Sequence, residues 1–164
     1  MTKNESELKR VIASVGGLDR EAMDAAEKRQ ARLAKPPGAL GRLEDLSVQL
    51  AGITGKVHNS MDKRVLLVFA ADNGVVEEGV SCCPQLITLQ QTINLTRAKT
   101  GAATLCKHFG VEIHVCDVGV YTDIKEPAVI NRKIAYGTNN MVKGPAMTRE
   151  QAVEALMTGV EMVE

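Results

Sequence analysis

Apolar positions recur at helical spacing through the first third of the chain. Leu8, Val11, Ile12 and Val15 share one face of a helix over residues 4–15, which Gly16-Gly17 ends. Asp19 is placed to cap a second helix, residues 20–33, with a thin stripe of Met23, Ala26 and Leu33. Lys35-Pro36-Pro37-Gly38 cannot continue it. Leu40, Leu43, Leu46, Leu50 and Ile53 then line one side of a third helix over residues 39–53. These three segments predict a small helical subdomain, residues 1–60. Thr54 to Lys63 is polar and reads as a connection.

The pattern changes at residue 65. Val65-Leu66-Leu67-Val68-Phe69-Ala70-Ala71 is an unbroken apolar run that stops at Asp72-Asn73-Gly74. A run this short, rich in branched residues and bounded by turn formers, predicts a parallel strand buried on both faces. A helix over residues 86–109 follows, with Pro84 ahead of it and Gly110 behind. A second strand covers residues 111–116 and ends at Asp117-Val118-Gly119. Strand, crossover helix and strand form a βαβ unit, so both strands end at the same sheet edge. Residues 121–147 look irregular, with short apolar pieces between turn-forming clusters. Thr148-Arg149-Glu150-Gln151 fits a capping box opening a last helix, with Ala152, Ala155, Leu156 and Val160 inward. That helix is still running at Glu164, where a βαβ domain would normally continue to another strand. The expected fold is therefore α/β: a Rossmann-like parallel sheet over residues 61–164 behind a small N-terminal helical subdomain, apparently truncated.

Composition narrows the function. Aromatics are 2% of the 164 residues and tryptophan is absent, so the core is aliphatic and base stacking on aromatic platforms is disfavoured. Basic and acidic side chains balance at 20 each, which argues against a nucleic-acid partner. No apolar run approaches the ~20 residues of a membrane span, and the polar N-terminus lacks the apolar centre of a signal peptide. The expected location is cytoplasmic, with no membrane partner. Cys82, Cys83, Cys106 and Cys116 form no C-x-x-C pair, and the three histidines do not join them at zinc spacing, so no metal site is expected. Cys106 and Cys116, in a helix and a strand, read as small buried apolar residues.

Ligands of open α/β sheets collect beyond the carboxyl ends of the strands. The chemistry is therefore expected just after Ala71. Dinucleotide and triphosphate cradles, G-x-G-x-x-G and G-x-x-x-x-G-K-[ST], are absent. Asp72 either orients a substrate or a neighbouring loop, or closes an Asx turn on nearby backbone donors. Ser81, Cys83, Gln85, Gln90 and Gln91 form a neutral polar set suited to a heteroaromatic ligand. The competing reading has Ser81 capping the helix and the glutamines in solvent. Cys83 has no obvious base beside it and is a poor nucleophile candidate. Glu77-Glu78 reads as a solvated loop.

Several stretches together are more specific. Leu33-Ala34-Lys35-Pro36-Pro37-Gly38-Ala39-Leu40-Gly41-Arg42-Leu43-Glu44 resembles the LxKPPGSLGRLE motif of nicotinate-nucleotide–dimethylbenzimidazole phosphoribosyltransferases. Phe69-Ala70-Ala71-Asp72-Asn73-Gly74-Val75, then Glu78-Gly79-Val80-Ser81 and Pro84-Gln85, resembles that family's ADHGVxxEGVSxxPQ segment. Asp117-Val118-Gly119 and Gly144-Pro145-Ala146-Met147-Thr148 match further segments in order. The resemblance implies transfer of phosphoribose from nicotinate mononucleotide to 5,6-dimethylbenzimidazole, giving α-ribazole 5′-phosphate and nicotinate for the cobalamin lower ligand. It implies a Rossmann-like homodimer and no cofactor. It places Ser81, Cys83, Gln90 and Gln91 in the base-binding wall, and Asp72 at the strand end is expected to join them as a substrate-binding residue. Some members carry serine where Cys83 stands, and a thiol is the poorer hydrogen-bond partner.

Family members are about twice as long. Their glycine-rich phosphate loop, GExGIGNTT, and their catalytic glutamate have no counterpart among these residues, so no catalytic residue is assigned. The chain is thus expected to supply the base-binding part of the enzyme. The alternative is a non-catalytic benzimidazole-binding module, or a subunit that needs a separate C-terminal polypeptide.

Overall fold

A computed structural model describes residues 2–164. The chain divides into two compact units, Arg10–Asp62 and Lys63–Glu164, the latter joined by the N-terminal residues through Lys9. The first helix, α1 (Lys3–Ser14), crosses this division.

The helical unit is built on α2 (Arg20–Ala31) and α3 (Arg42–Thr54). Asp19 caps α2 as expected, accepting the Ala22 N–H at 2.9 Å. The two helices meet through small residues: Ala22, Ala26 and Ala51 are buried, with Val48 and Val57 against them. Gly52 belongs to this contact, since a Cβ there would come within 2.7 Å of Met23 Cγ. The third helix starts at Arg42 rather than near residue 39. Gly38 and Gly41 take positive φ, +73° and +53°, and turn the chain before the helix begins. Within this turn Lys35 Nζ pairs with Glu44 at 2.7 Å, and the same Glu44 oxygen accepts the Leu40 N–H at 3.1 Å. The Lys-Pro-Pro-Gly stretch is therefore closed onto the helix that follows it.

The sheet unit holds three parallel strands in the order β1 (Val65–Ala71), β2 (Glu112–Gly119), β3 (Val129–Asn131). β1 has the boundaries its apolar run implies. It is not buried on both faces, however: it pairs only with β2, and Val65 and Phe69 are 53% and 44% exposed. The central strand is β2, whose Val115, Cys116 and Asp117 are all buried. β3 was hidden in the irregular region because three residues are too few to show alternation. The crossover is two helices, α4 (Leu86–Thr96) and α5 (Gly101–Phe109), not one. The break sits at Ala98, with φ of +52°, and Thr100 caps α5 by accepting the Ala103 N–H. Gly110 ends α5 in the left-handed region, as expected.

The last helix, α6 (Arg149–Val163), opens with the complete capping box of Thr148 and Gln151. Its inner face is Val153, Met157 and Thr158, while Leu156 is 57% exposed. The inward stripe is thus rotated from the expected Ala152, Ala155, Leu156 and Val160: Val153 and Met157, four residues apart, are the buried apolar positions, and of the expected set Leu156 faces out while Val160 is half-buried. Cys106 and Cys116 are buried as small core residues.

Candidate functional site

The register brings the two long strands to a common edge. Ala71 pairs with Gly119 after an irregularity at Ala70, so Asp72 and the chain after Gly119 leave the sheet side by side. Asp72 is buried and fastens three segments together. One carboxyl oxygen accepts the Thr88 hydroxyl of α4 at 2.7 Å, and the other accepts the Tyr121 N–H at 2.8 Å. Its backbone accepts the Thr138 N–H and donates to Gly119, both at 3.0 Å. Asp72 therefore orients neighbouring loops rather than closing an Asx turn on its own downstream donors.

Beyond Asp72 the chain makes a 3₁₀ turn, Gly74–Glu78. Gly74 is required by close approach: a Cβ would lie 2.4 Å from the Thr138 carbonyl oxygen and 2.7 Å from Asn140 N. Gly79, at φ +69°, ends the turn. Ser81 does not cap α4. Its hydroxyl donates to the Cys83 carbonyl at 2.9 Å and accepts the Cys83 N–H at 3.2 Å, folding residues 81–83 into a tight loop. The residue preceding α4 is Gln85, which makes no side-chain cap.

Two concavities flank this segment. The first, about 310 Å³, is lined by Asp72, Ser81, Cys83, Gln85 and Thr88, with apolar walls from Val75, Val76, Val80 and Ile87. It unites three of the five expected site residues. Gln90 and Gln91 do not line it; both are exposed on α4. Gln91 follows Ile87 and Thr88 by four and three residues, so it shares their helix face.

The second concavity, about 630 Å³, adjoins the 3₁₀ turn and shares Val76 and Gln85 with the first. Its lining includes Glu77, Tyr121, Tyr136, Asn140 and Lys143. Glu77 is not merely solvated: Lys143 Nζ pairs with it at 2.5 Å and Asn140 Nδ2 donates at 3.3 Å, holding its carboxyl below the usual carboxylate range. Asn140 also donates to Glu78 at 2.6 Å. The Tyr136 hydroxyl donates to Asp123 at 2.8 Å, which raises its pKa. Tyr121, Tyr136, Asn140 and Lys143 escaped sequence reading because they fall in the irregular region. The available signal was its density of Gly, Asn and Lys-Gly-Pro turns.

A buried ion pair braces this side. Asp117, at the end of β2, accepts the Gly119 and Val120 N–H groups at 3.0 and 2.8 Å. Lys133 Nζ meets its other oxygen at 2.9 Å, donates to the Val120 carbonyl and, at 3.3 Å, to that of Thr122. The ammonium lies 4.9 Å from the Tyr136 ring centroid. No group of three or more His, Cys, Asp or Glu side chains that could hold a metal occurs among the described residues. None of the described helices is long and apolar enough to cross a membrane.

A family model described as Phosphoribosyltransferase matches residues 15–164. The chain belongs to this family. Relatives carry the expected name. The nicotinate-nucleotide–dimethylbenzimidazole phosphoribosyltransferase of Clostridium tetani is 43% identical over 157 residues, covering 96% of this chain and 43% of that protein. The enzyme of the same name from Ruminiclostridium cellulolyticum is 49% identical over 152 residues, 93% of this chain and 43% of that protein. The crystal structure of the Thermus thermophilus enzyme superposes with a TM-score of 0.80 at 39% identity, over 88% of this chain and 44% of that one. The chain therefore spans less than half the length of the family members it matches. The α/β fold with a parallel sheet agrees with that structure.

Proposed function

We propose that the chain supplies the base-binding part of an enzyme that transfers phosphoribose from nicotinate mononucleotide to 5,6-dimethylbenzimidazole. The observation that carries this reading is the 310 Å³ concavity, where Ser81, Cys83 and Asp72 meet beside the end of β1. Its wall is apolar with a few neutral hydrogen-bonding groups, and its one carboxylate, Asp72, already accepts from Thr88 and Tyr121, which suits a flat, uncharged heterocycle. Ser81 and Cys83 contact the base in this reading, and Gln90 and Gln91 extend the wall along α4. Asp72 acts as a positioning residue, since both its carboxyl oxygens are engaged by Thr88 and Tyr121. The phosphate cradle and the general base that takes the ring proton are assigned to residues other than these 164. The enzyme is proposed to be a cytoplasmic homodimer without a cofactor. Its helical and α/β subdomains are taken to divide at about residue 60.

The test pairs two measurements on the 164-residue chain. Titration calorimetry with 5,6-dimethylbenzimidazole is expected to show binding. Incubation with the base and nicotinate mononucleotide is expected to yield no α-ribazole 5′-phosphate. Turnover by this chain alone would overturn the division of labour, and absence of base binding would overturn the site.

A further inference from the structure

Cys82 and Cys83 are adjacent in sequence, and both are exposed. Their sulfurs lie 3.7 Å apart, in contact but well beyond the ~2.05 Å of a disulfide. Successive side chains on an extended backbone point to opposite sides. Here the loop closed by the Ser81 hydroxyl on both backbone groups of Cys83 brings the two thiols together instead. The pair is an assembled feature of the loop that lines the smaller concavity, to which Cys83 contributes directly.

The chemistry of this pair is restricted. The hydrogen bond with Cys82, and then the charge that Cys82 would carry, push the Cys83 pKa above that of an ordinary thiol. Cys83 is thus protonated at neutral pH, and reactions that need a thiolate there are slow. Structural zinc takes four ligands, and no third His, Cys, Asp or Glu completes a metal-binding group among the described residues. The reagent that suits two neighbouring thiols is a soft electrophile that bonds both sulfurs and carries away both protons.

We propose that Cys82 and Cys83 form a vicinal dithiol site for trivalent organoarsenicals, and that occupancy obstructs the concavity beside them. The step balances without an oxidant. An arsenoxide, R–As=O, exchanges its arsenic–oxygen bonding for two arsenic–sulfur bonds. The two S–H protons leave with the oxygen as water, and arsenic stays trivalent. Once one sulfur is bonded the second closes a ring, so the pair gains the effective concentration of a chelate. Cys106 and Cys116 do not compete, because both are buried and lie on separate elements, α5 and β2. The site does not depend on the activity proposed above.

The experiment is titration of the chain with phenylarsine oxide in a phosphine reductant, followed by intact mass and by free-thiol count. One equivalent is expected to bind, with loss of two titratable thiols and a mass gain of the arsenical less water. 2,3-Dimercaptopropanol is expected to release it, and excess 2-mercaptoethanol is not. Cys82→Ser and Cys83→Ser should each weaken capture by about 100-fold, the loss of a chelate advantage. Because the release comparison uses the unmutated chain, it stands even if a variant folds poorly. No capture, release by the monothiol, or capture undiminished in folded C82S or C83S would overturn the site.

Discussion

Lys133→Ala is expected to destabilise the sheet unit by about 3–5 kcal/mol, the cost of leaving a buried charge without its partner. The side chains of Asp117 and Lys133 are only 2% and 10% exposed, and they meet at 2.9 Å. Removing the ammonium strands Asp117 in the middle of the sheet and takes a donor from the Val120 and Thr122 carbonyls. A loss of that size is a large share of the ~5–15 kcal/mol by which domains are stable. Urea unfolding followed by circular dichroism measures it. Lys143→Ala is the control, since its pair with Glu77 is exposed on both sides and such pairs contribute about 1 kcal/mol or less. Equal midpoints for the two variants would show that the buried pair does not brace the sheet. Asp117→Asn combined with Lys133→Met should recover part of the loss. It removes both charges while keeping an acceptor for the Gly119 and Val120 amides.

Asp72→Ala is expected to cost about 3 kcal/mol and to weaken base binding as well. Two donors lose their acceptor at once, the Thr88 hydroxyl and the Tyr121 amide. Hydrogen bonds to a charged group contribute about 1.5–3 kcal/mol each, part of which water regains at partly buried donors. The loss also loosens geometry. Thr88 lies on α4 in the wall of the smaller concavity, and Tyr121 lines the larger one. Asp72→Asn should cost less than half as much, because the amide oxygen still accepts from Tyr121 while its nitrogen can donate to the Thr88 oxygen. The check is urea unfolding beside calorimetry of the base for the three proteins. Full stability in D72A would show that Asp72 is not a fastener.

How much of this was legible depends on what kind of signal each element carries. β1 was legible to the residue, because a seven-residue apolar run between Arg64 and Asp72 has sharp ends. Its exposure was not, because burial depends on which strands lie beside it, and an apolar run reads the same at a sheet's centre or its edge. The α4–α5 break was visible only as Lys99-Thr100-Gly101, a cap signal inside a region whose apolar content favours one long helix. Capping was the most readable chemistry: Asp19 and the Thr148–Gln151 box both formed as their spacing implies.

The site split along similar lines. Ser81, Cys83 and Asp72 are close in sequence, and a short loop after a strand keeps them close in space. Gln90 and Gln91 were grouped with them by type, but a helix rotates about 100° per residue, which turns Gln90 off the face of Ile87 and Thr88, while Gln91 stays on that face one turn beyond the concavity. Tyr121, Tyr136 and Lys143 come together through long-range ties: Asp72 with Tyr121 and Thr138, Glu77 with Lys143, the Asp117–Lys133 brace and the Gly74 contact with residues 138–140. Long-range contacts of that kind leave no periodicity to read. Homology supplied the expected chemistry through the Lys-Pro-Pro-Gly and Glu-Gly-Val-Ser stretches, and the family match over residues 15–164 agrees with it.

The most direct test of the account is an amide chemical-shift map of the chain titrated with 5,6-dimethylbenzimidazole. The largest shifts are expected at Asp72, Ser81, Cys83, Gln85 and Thr88, extending to Gln91. Shifts centred on Tyr121, Tyr136 and Lys143, with the loop before α4 unmoved, would contradict it.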